Sequence, residues 1–260
     1  MKAGVPEIIG DNVSIGRGCI FGRNVVIGDN AVLGDECIIG DNVQIRESVL
    51  GNGVKVERNA LVGYSTITGW FSTGKKEKED DPGPAELGDG CLVRTDAVIY
   101  RGAKIGGNCW INHKALVREF SLIGQNTSIG SMADIEGYCT IGSYCSINSQ
   151  AYVAAKSELG DYVFLGPQAV TANDSPIGYR RDLPEEMEGP AIEFGVAVGA
   201  RSVIMPRIRL GSEAVIGAGS VVNRDVPKCM LAYGVPARVI RPVPDQWRMP
   251  PDIRKHYVEG

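Results

Sequence analysis

The stretch LGDGCLVRTDAVIYRGAKIGGNCWINHKALV, residues 87–117, returns an aliphatic residue every six positions: Leu87, Val93, Ile99, Ile105, Ile111 and Val117. The register continues without a slip through Ile123, Ile129, Ile135, Ile141, Ile147, Val153, Leu159 and Leu165, fourteen units between Leu87 and Val170. Four residues after each mark stands a small one, from Cys91, Ala97 and Ala103 to Ser157, Val163 and Ala169. A helix repeats near 3.6 and a plain strand at 2, so neither gives a strict six. A short strand plus a turn, used over and over, does. The fifth residue, the sixth and the next mark then read in–out–in, the alternation of a strand. Gly90, Asp96, Gly102, Asn108 and Asn126 hold the fourth place, where a turn is expected to need positive φ. The period predicts an all-β chain, a parallel β-helix solenoid.

Outward from this stretch, the six-step already runs through Ile9, Ile15, Phe21, Ile27, Leu33, Ile39 and Ile45. One residue is then lost, and Leu50, Val56 and Val62 resume it. Residues 69–86 are charged, Pro-bearing and without a mark, so they predict a loop thrown out from one corner. It is either a solvated excursion or a flap that packs Trp70 and Phe71 over a neighbour or ligand. A second excursion spans residues 172–191; loops this long with no element of their own are usually functional or mobile. The repeat restarts at Ile192 and passes Val198, Ile204, Leu210, Ile216 and Val222. A solenoid domain over 1–241 and a Pro-rich tail over 242–260 follow, with a short capping helix expected over 245–256. Residues 1–7 are a candidate cover for the open first coil.

Composition bounds the function classes. Aromatic content is 7% and hydrophobic content 43%, as expected of an interior of stacked Ile, Val and Ala, and 34 Gly fit a turn-rich repeat. A net charge of −4 gives no polyelectrolyte footprint for nucleic acid. No apolar run reaches eighteen residues and Met1–Ile9 does not read as a signal peptide, so the chain is expected to be soluble and cytoplasmic. No CxxC pair exists, which argues against a thiolate zinc site, and no metal is expected.

The chain resembles the left-handed β-helix acyltransferases on this register, nearly end to end. That resemblance implies three units, eighteen residues, to a triangular coil. It also implies the left hand, since parallel crossovers otherwise turn right. Cys19 and Cys37, like Cys91 and Cys109, are then stacked on adjacent coils. With Cys139 and Cys145 they occupy the inward fifth place, and small buried thiols in a reducing compartment are the expected reading. The outward sixth place holds Ile20, Val26, Val32, Ile38, Leu92, Val98, Trp110, Leu116 and Leu122. An exterior apolar surface of that extent argues for burial between subunits, and the family packs as homotrimers.

Of the two His, His256 lies in the tail. His113 stands in the third place of the unit 111–116, so it points from a corner. Acyl transfer to an amine or hydroxyl needs a proton acceptor near neutrality, and imidazole is the natural one. Ile111, His113 and Ala115 match the slot of the catalytic His in amino-sugar N-acetyltransferases of this fold, although some of these work without a protein base. Glu119, at the next corner, either orients His113 or is a solvated carboxylate, the commoner fate. Arg118 and Glu136 are eighteen apart and are expected to pair across coils. Asn148 either meets a sugar hydroxyl or supports its turn. Phe120, Tyr138 and Lys156, in line at intervals of eighteen, suggest a contact surface for a subunit or a nucleotide base.

The C-terminal half carries the closer resemblance. Residues 164–174, ending in Asn173 and Asp174, look like the segment by which nucleotide-sugar N-acetyltransferases enter their substrate loop. The runs around Ile192, Val198-Gly-Ala200, Ile216-Gly-Ala218 and Gly234-Val-Pro236-Ala-Arg238 follow the same order. The resemblance implies acetyl coenzyme A beside Ala200, Ala218, Gly234 and Pro236, where small side chains admit a thin pantetheine arm, with Lys228, Arg238 and Arg241 toward its phosphates. An acetyl-CoA-dependent N-acetyltransferase on a nucleotide-linked amino sugar is the expected function. O-acetyl or other acyl transfer is the alternative, and a non-catalytic scaffold a third. A γ-class carbonic anhydrase needs three His on zinc and is excluded. A sugar-nucleotide pyrophosphorylase is not expected, because no N-terminal nucleotide-binding domain is read in this sequence.

Overall fold

The computed structural model describes residues 6–65, 81–177 and 187–255. Trp70, Phe71 and His256 lie outside the described residues, as does most of the flap expected around them. What is described is a left-handed parallel β-helix of about 11 turns with almost no helix. Strands of mostly two residues stack into three sheets of eleven, ten and twelve strands. We call these faces 1, 2 and 3 after the first strands, Ile8–Ile9, Ser14–Ile15 and Ile20–Phe21. Along face 3, Ile111 pairs with Ile129, Ile129 with Ile147, and Ile147 with Leu165, always in parallel.

The marks point inward as the period predicts: Ile99, Ile111, Ile129 and Ile135 are wholly buried. Each such side chain contributes about 1.5–3 kcal/mol relative to exposure. The fifth place is buried too, and it is more than filler. Its Cys, Ser and Thr residues donate to carbonyls of the next coil, Cys91 to Gly106 at 3.0 Å, Ser121 to Glu136 at 2.8 Å and Thr127 to Gly142 at 2.9 Å. All seven thiols are free. Burial pushes Cys139 and Cys145 up to about 12 and, with the neighbouring Cys19, Cys37 to about 11, so these thiols stay protonated.

The fourth place is left-handed on every kind of residue, not only on Asn and Gly: Lys114 (φ 57°), Phe120 (58°), Met132 (56°) and Tyr138 (62°) adopt it. This conformation costs an L-residue roughly 1–2 kcal/mol, and stacking between coils offsets it. Toward the N-terminus Asn24, Asn42 and Asn59 form an amide ladder at 3.0 Å per step, which ends on Asp96. Further along, aromatic rings replace it: Phe120 on Tyr138 at 4.7 Å and Tyr144 on Tyr162 at 4.8 Å, both near-parallel.

Both excursions leave from the same edge, the corner between faces 1 and 2. The first follows Leu61–Tyr64 and the second follows Val170–Thr171. Gly63 there (φ 78°) permits no side chain, because a Cβ would run into the Arg46 carbonyl. The repeat returns earlier than the 69–86 boundary implied: Ala85–Leu87 is already a strand between Ser48–Leu50 and Lys104–Ile105. Likewise Ala191 already belongs to a strand, on Glu158.

At the C-terminal end Met230–Gly234 continues face 3 in parallel, and Ala237–Pro242 turns back antiparallel along it. The helix expected over 245–256 shrinks to a 3-10 turn at Asp245–Trp247 and one turn at Pro251–Arg254. Pro244, Pro250 and Pro251 prevent a longer one. Glu213, 2% exposed on the corner between faces 2 and 3, holds this tail through Arg248 at 2.5 Å and the Met249 N–H at 3.0 Å.

Candidate functional site

The corner between faces 3 and 1 carries His113. Its ring is 45% exposed and Nδ1 lies 4.0 Å from Glu57 Oε2. Glu57 in turn accepts from the Thr95 N–H and Oγ1, both at 3.0 Å, and pairs with Arg94 at 2.9 Å. These donors hold its carboxyl below the usual range against the opposing effect of burial. The carboxylate beside His113 is therefore Glu57 and not Glu119. Both Glu119 oxygens are taken by Arg118, through Nη2 at 2.7 Å and Nε at 3.1 Å. Sequence reasoning missed Glu57 because the first excursion lies between it and its partner coil, so the eighteen-residue count does not reach it.

Below His113 on the same corner come Ser131, Ser149, Pro167, Ala200 and Ala218, each two residues after a face 3 strand mark. Ala200 is thus four coils from His113 and Ala218 five, about 19 and 24 Å at the spacing of stacked strands. Gly234 continues the line: its N–H donates to Ser220 Oγ at 3.1 Å, and Pro236 and Arg238 follow. Lys228 does not join them. Its backbone lies against Gly211, on the corner between faces 2 and 3, across face 3 from Ala218. Arg238 is exposed and donates to its neighbouring Ala237 carbonyl at 2.7 Å, while Arg241 lies over the Trp247 ring at 5.7 Å.

The corner between faces 1 and 2 holds a second group of charged residues. Four uninterrupted turns at 100–102, 118–120, 136–138 and 154–156 lie between the two excursions. Arg118 pairs with Glu136 at 3.0 Å across one coil, as the spacing of eighteen predicts, and lies over the Tyr100 ring at 5.7 Å. Beside them on face 1 stands Asp134, in register with Leu116 on one side and Tyr152 on the other. Burial, reinforced by Glu136 and opposed by Arg118, pushes Asp134 up to about 6. Burial first, then Glu136 and Asp134, pushes the Tyr152 phenol up to about 12. Neither residue stands out in the sequence, since both occupy the outward sixth place where Leu and Val are equally common. The only available signal was an acid in a row of apolar neighbours.

The remaining site residues serve the backbone. Asn148 Nδ2 donates to the Leu165 carbonyl at 2.9 Å, as Asn112 does to Ile129 at 2.8 Å, which is the turn-supporting role. Asn173 Nδ2 donates to the Ala155 carbonyl at 3.2 Å, and its own carbonyl accepts from Glu188 N–H at 3.0 Å. The Asp174 carbonyl accepts from Ile177 N–H at 3.4 Å. Asn173 and Asp174 thus form the foot of the second excursion, one coil beyond Lys156.

Comparison with known proteins agrees with this architecture. The hexapeptide repeat of succinyl-transferase matches residues 191–224. A dTDP-3-amino-3,6-dideoxy-α-D-galactopyranose 3-N-acetyltransferase from Aneurinibacillus thermoaerophilus is 46% identical over 56 residues, 22% of this chain and 29% of that protein. Galactoside O-acetyltransferase from Escherichia coli is 47% identical over 51 residues, 20% of this chain and 25% of that protein. A hexapeptide-repeat acetyltransferase from Vibrio cholerae, solved with acetyl coenzyme A, is 29% identical, covering 47% of this chain and 71% of that one, with a TM-score of 0.40. The chain matches less than a third of the length of those two curated relatives.

Proposed function

We propose that this chain is an acyltransferase of the hexapeptide-repeat kind and that it transfers an acetyl group from coenzyme A to the amine of a nucleotide-linked sugar. The observation that carries the reading is the line of small residues on the corner between faces 3 and 1. From Ala218 through Ala200, Pro167, Ser149 and Ser131 the third place of this corner stays small between the Gly234–Arg238 turn and His113, while Met132, Gln150, Gln168 and Arg201 stand beside it in the fourth place. A thin pantetheine arm lying there, its phosphates toward Arg238 and Arg241, carries its thioester to the edge of face 1. The acceptor sugar then lies across face 1, its nucleotide toward the excursions that leave at Tyr64 and Asn173.

Transfer is direct in this reading. Cys91, Cys109, Cys139 and Cys145 are buried and cannot reach a thioester, so the amine attacks the thioester carbon itself. Holding the two reactants in line supplies much of the rate. Two groups flank face 1 and can take the amine's proton, His113 at the corner and Asp134 beside Tyr152. The exposed apolar side chains Trp110, Leu122 and Phe164 support a homotrimer, in the cytoplasm, with sites between neighbouring solenoids.

The relatives acetylate an amine in one case and a galactoside in another, so the acceptor is the point to test. Thiol release from acetyl coenzyme A is measured against paired nucleotide-linked sugars that differ only in an amino or a hydroxyl group. Release with amino forms is expected. Release only with hydroxyl forms favours O-transfer, and no release with any member of the panel removes the proposal.

A further inference from the structure

Arg118 is the cation nearest Asp134, and it is already shared. Glu119 takes two of its donors and Glu136 a third. Asp134, alongside, makes a third carboxylate with no cation of its own. Its Oδ1 is turned out of contact with solvent and has no hydrogen-bond partner among the described residues, while the residue as a whole is only partly buried on face 1. Buried polar oxygens are ordinarily satisfied, so this one is short of a donor. The groups that face it are Glu136 and Arg118 from the corner, Tyr152 from the next strand, and Tyr100. Leu116, in register on the other side, closes the apolar wall.

The missing partner has a definable chemistry. It must bring a hydrogen-bond donor, because Oδ1 only accepts when ionised. It should also bring positive charge, because three carboxylates face one guanidinium. The Tyr100 ring face is already covered by Arg118, so the added positive charge has to come from the partner itself. A protonated primary amine meets both requirements, and a hydroxyl meets only the first.

We infer that Asp134 receives the protonated amine of the acyl acceptor on face 1 and takes the first of its protons, with Tyr152 and Glu136 lining the same site. The inference rests on the reading of the chain as an acyltransferase and makes it selective for amines. One N–H proton passes to the Asp134 carboxylate, leaving a neutral amine and a carboxylic acid. The nitrogen lone pair attacks the thioester carbon, the C–N bond forms and the C–S bond breaks. The departing sulfur takes the second proton, giving amide and thiol, and Asp134 returns its proton to water. A carboxyl held near 6 suits this exchange better than one at the ordinary value.

Full-length wild type, Asp134→Asn and His113→Asn are compared by kcat/KM over pH 5–8.5 with acetyl coenzyme A and a nucleotide-linked amino sugar. Asp134→Asn is expected to lose about a hundredfold or more and the rising limb near pH 6, whereas His113→Asn keeps that limb. A limb that survives in Asp134→Asn and vanishes in His113→Asn overturns the inference. Calorimetry adds a readout independent of turnover. Wild type should bind the amino sugar at least about tenfold tighter than its hydroxyl counterpart, and Asp134→Asn should abolish the preference. Equal binding of the two sugars by wild type sinks the Asp134 assignment while leaving acyl transfer intact. No binding of either sugar and no thiol release sinks both. A circular dichroism melt of Asp134→Asn confirms that losses are not unfolding; the position faces outward, so it should fold.

Discussion

The two corners that border face 1 have the same backbone and opposite chemistry. Each turns through a left-handed fourth residue, Met132 on one and Phe120 on the other, at φ of 56° and 58°. Yet the corner between faces 3 and 1 runs past Ser131, Ser149, Pro167, Ala200 and Ala218 without interruption. The corner between faces 1 and 2 throws out both excursions and packs Arg118, Glu119 and Glu136 together. The interior does not dictate this difference, because inward residues are alike on all sides. A solenoid of this kind separates its tasks: marks and fifth places hold the fold, and the second, third and fourth places are free to diverge.

If that separation is real, the largest effect should come from the interior. Ile129 is wholly buried, and Ile129→Asp places an unpaired charge there at a cost of several kcal/mol. Loss of the cooperative unfolding transition is expected, and a folded variant would mean the coils stack loosely. Next comes Arg118→Ala, which strands two carboxylates that are 14% and 23% exposed. A loss of about 2–3 kcal/mol by denaturant titration is expected, less than for a fully buried pair. On the other corner Arg23→Ala breaks an ion pair with Asp41 at 3.2 Å whose cation is 87% exposed, and no measurable change should follow. Equal effects of the two would erase the contrast.

Asp134→Asn should act in the opposite direction. The folded carboxyl, at about 6, binds its proton more tightly than the unfolded one near 3.8. Ionising it therefore costs stability, progressively between pH 4 and 6 and fully above that. The variant should match wild type below pH 4 and exceed it by about 1–2 kcal/mol at pH 7–8, a figure reduced because the group is only half-buried. Smallest is the fourth place itself. Met132→Asn should gain about 0.5–1 kcal/mol, since Asn tolerates the left-handed region and Met132 is exposed. Phe120→Asn should gain nothing, because the stack on Tyr138 is lost at the same time.

The sequence made the interior readable because burial repeats at a fixed interval and only aliphatic or small residues satisfy it. The Arg118–Glu136 pair was readable for the same reason, being one coil apart. Three things were not. Glu57 meets His113 across an excursion that breaks the count. Asp134 and Tyr152 become a site only through burial and through neighbours on adjacent strands. The left-handed turn was expected at Asn and Gly, but backbone geometry imposes it on Lys114, Phe120 and Tyr138 as well, where no local preference announces it.

The strand Ala237–Pro242 closes the coil by running backwards along face 3. Stacked parallel coils are an open template, since the last one presents unpaired backbone groups on which another chain could continue the stack. On face 3 that row now has the wrong polarity, and it is edged by the exposed Arg238, Arg241 and Pro242. Charge and proline on an edge strand oppose further pairing. A second molecule arriving at this end therefore cannot extend face 3 in parallel register.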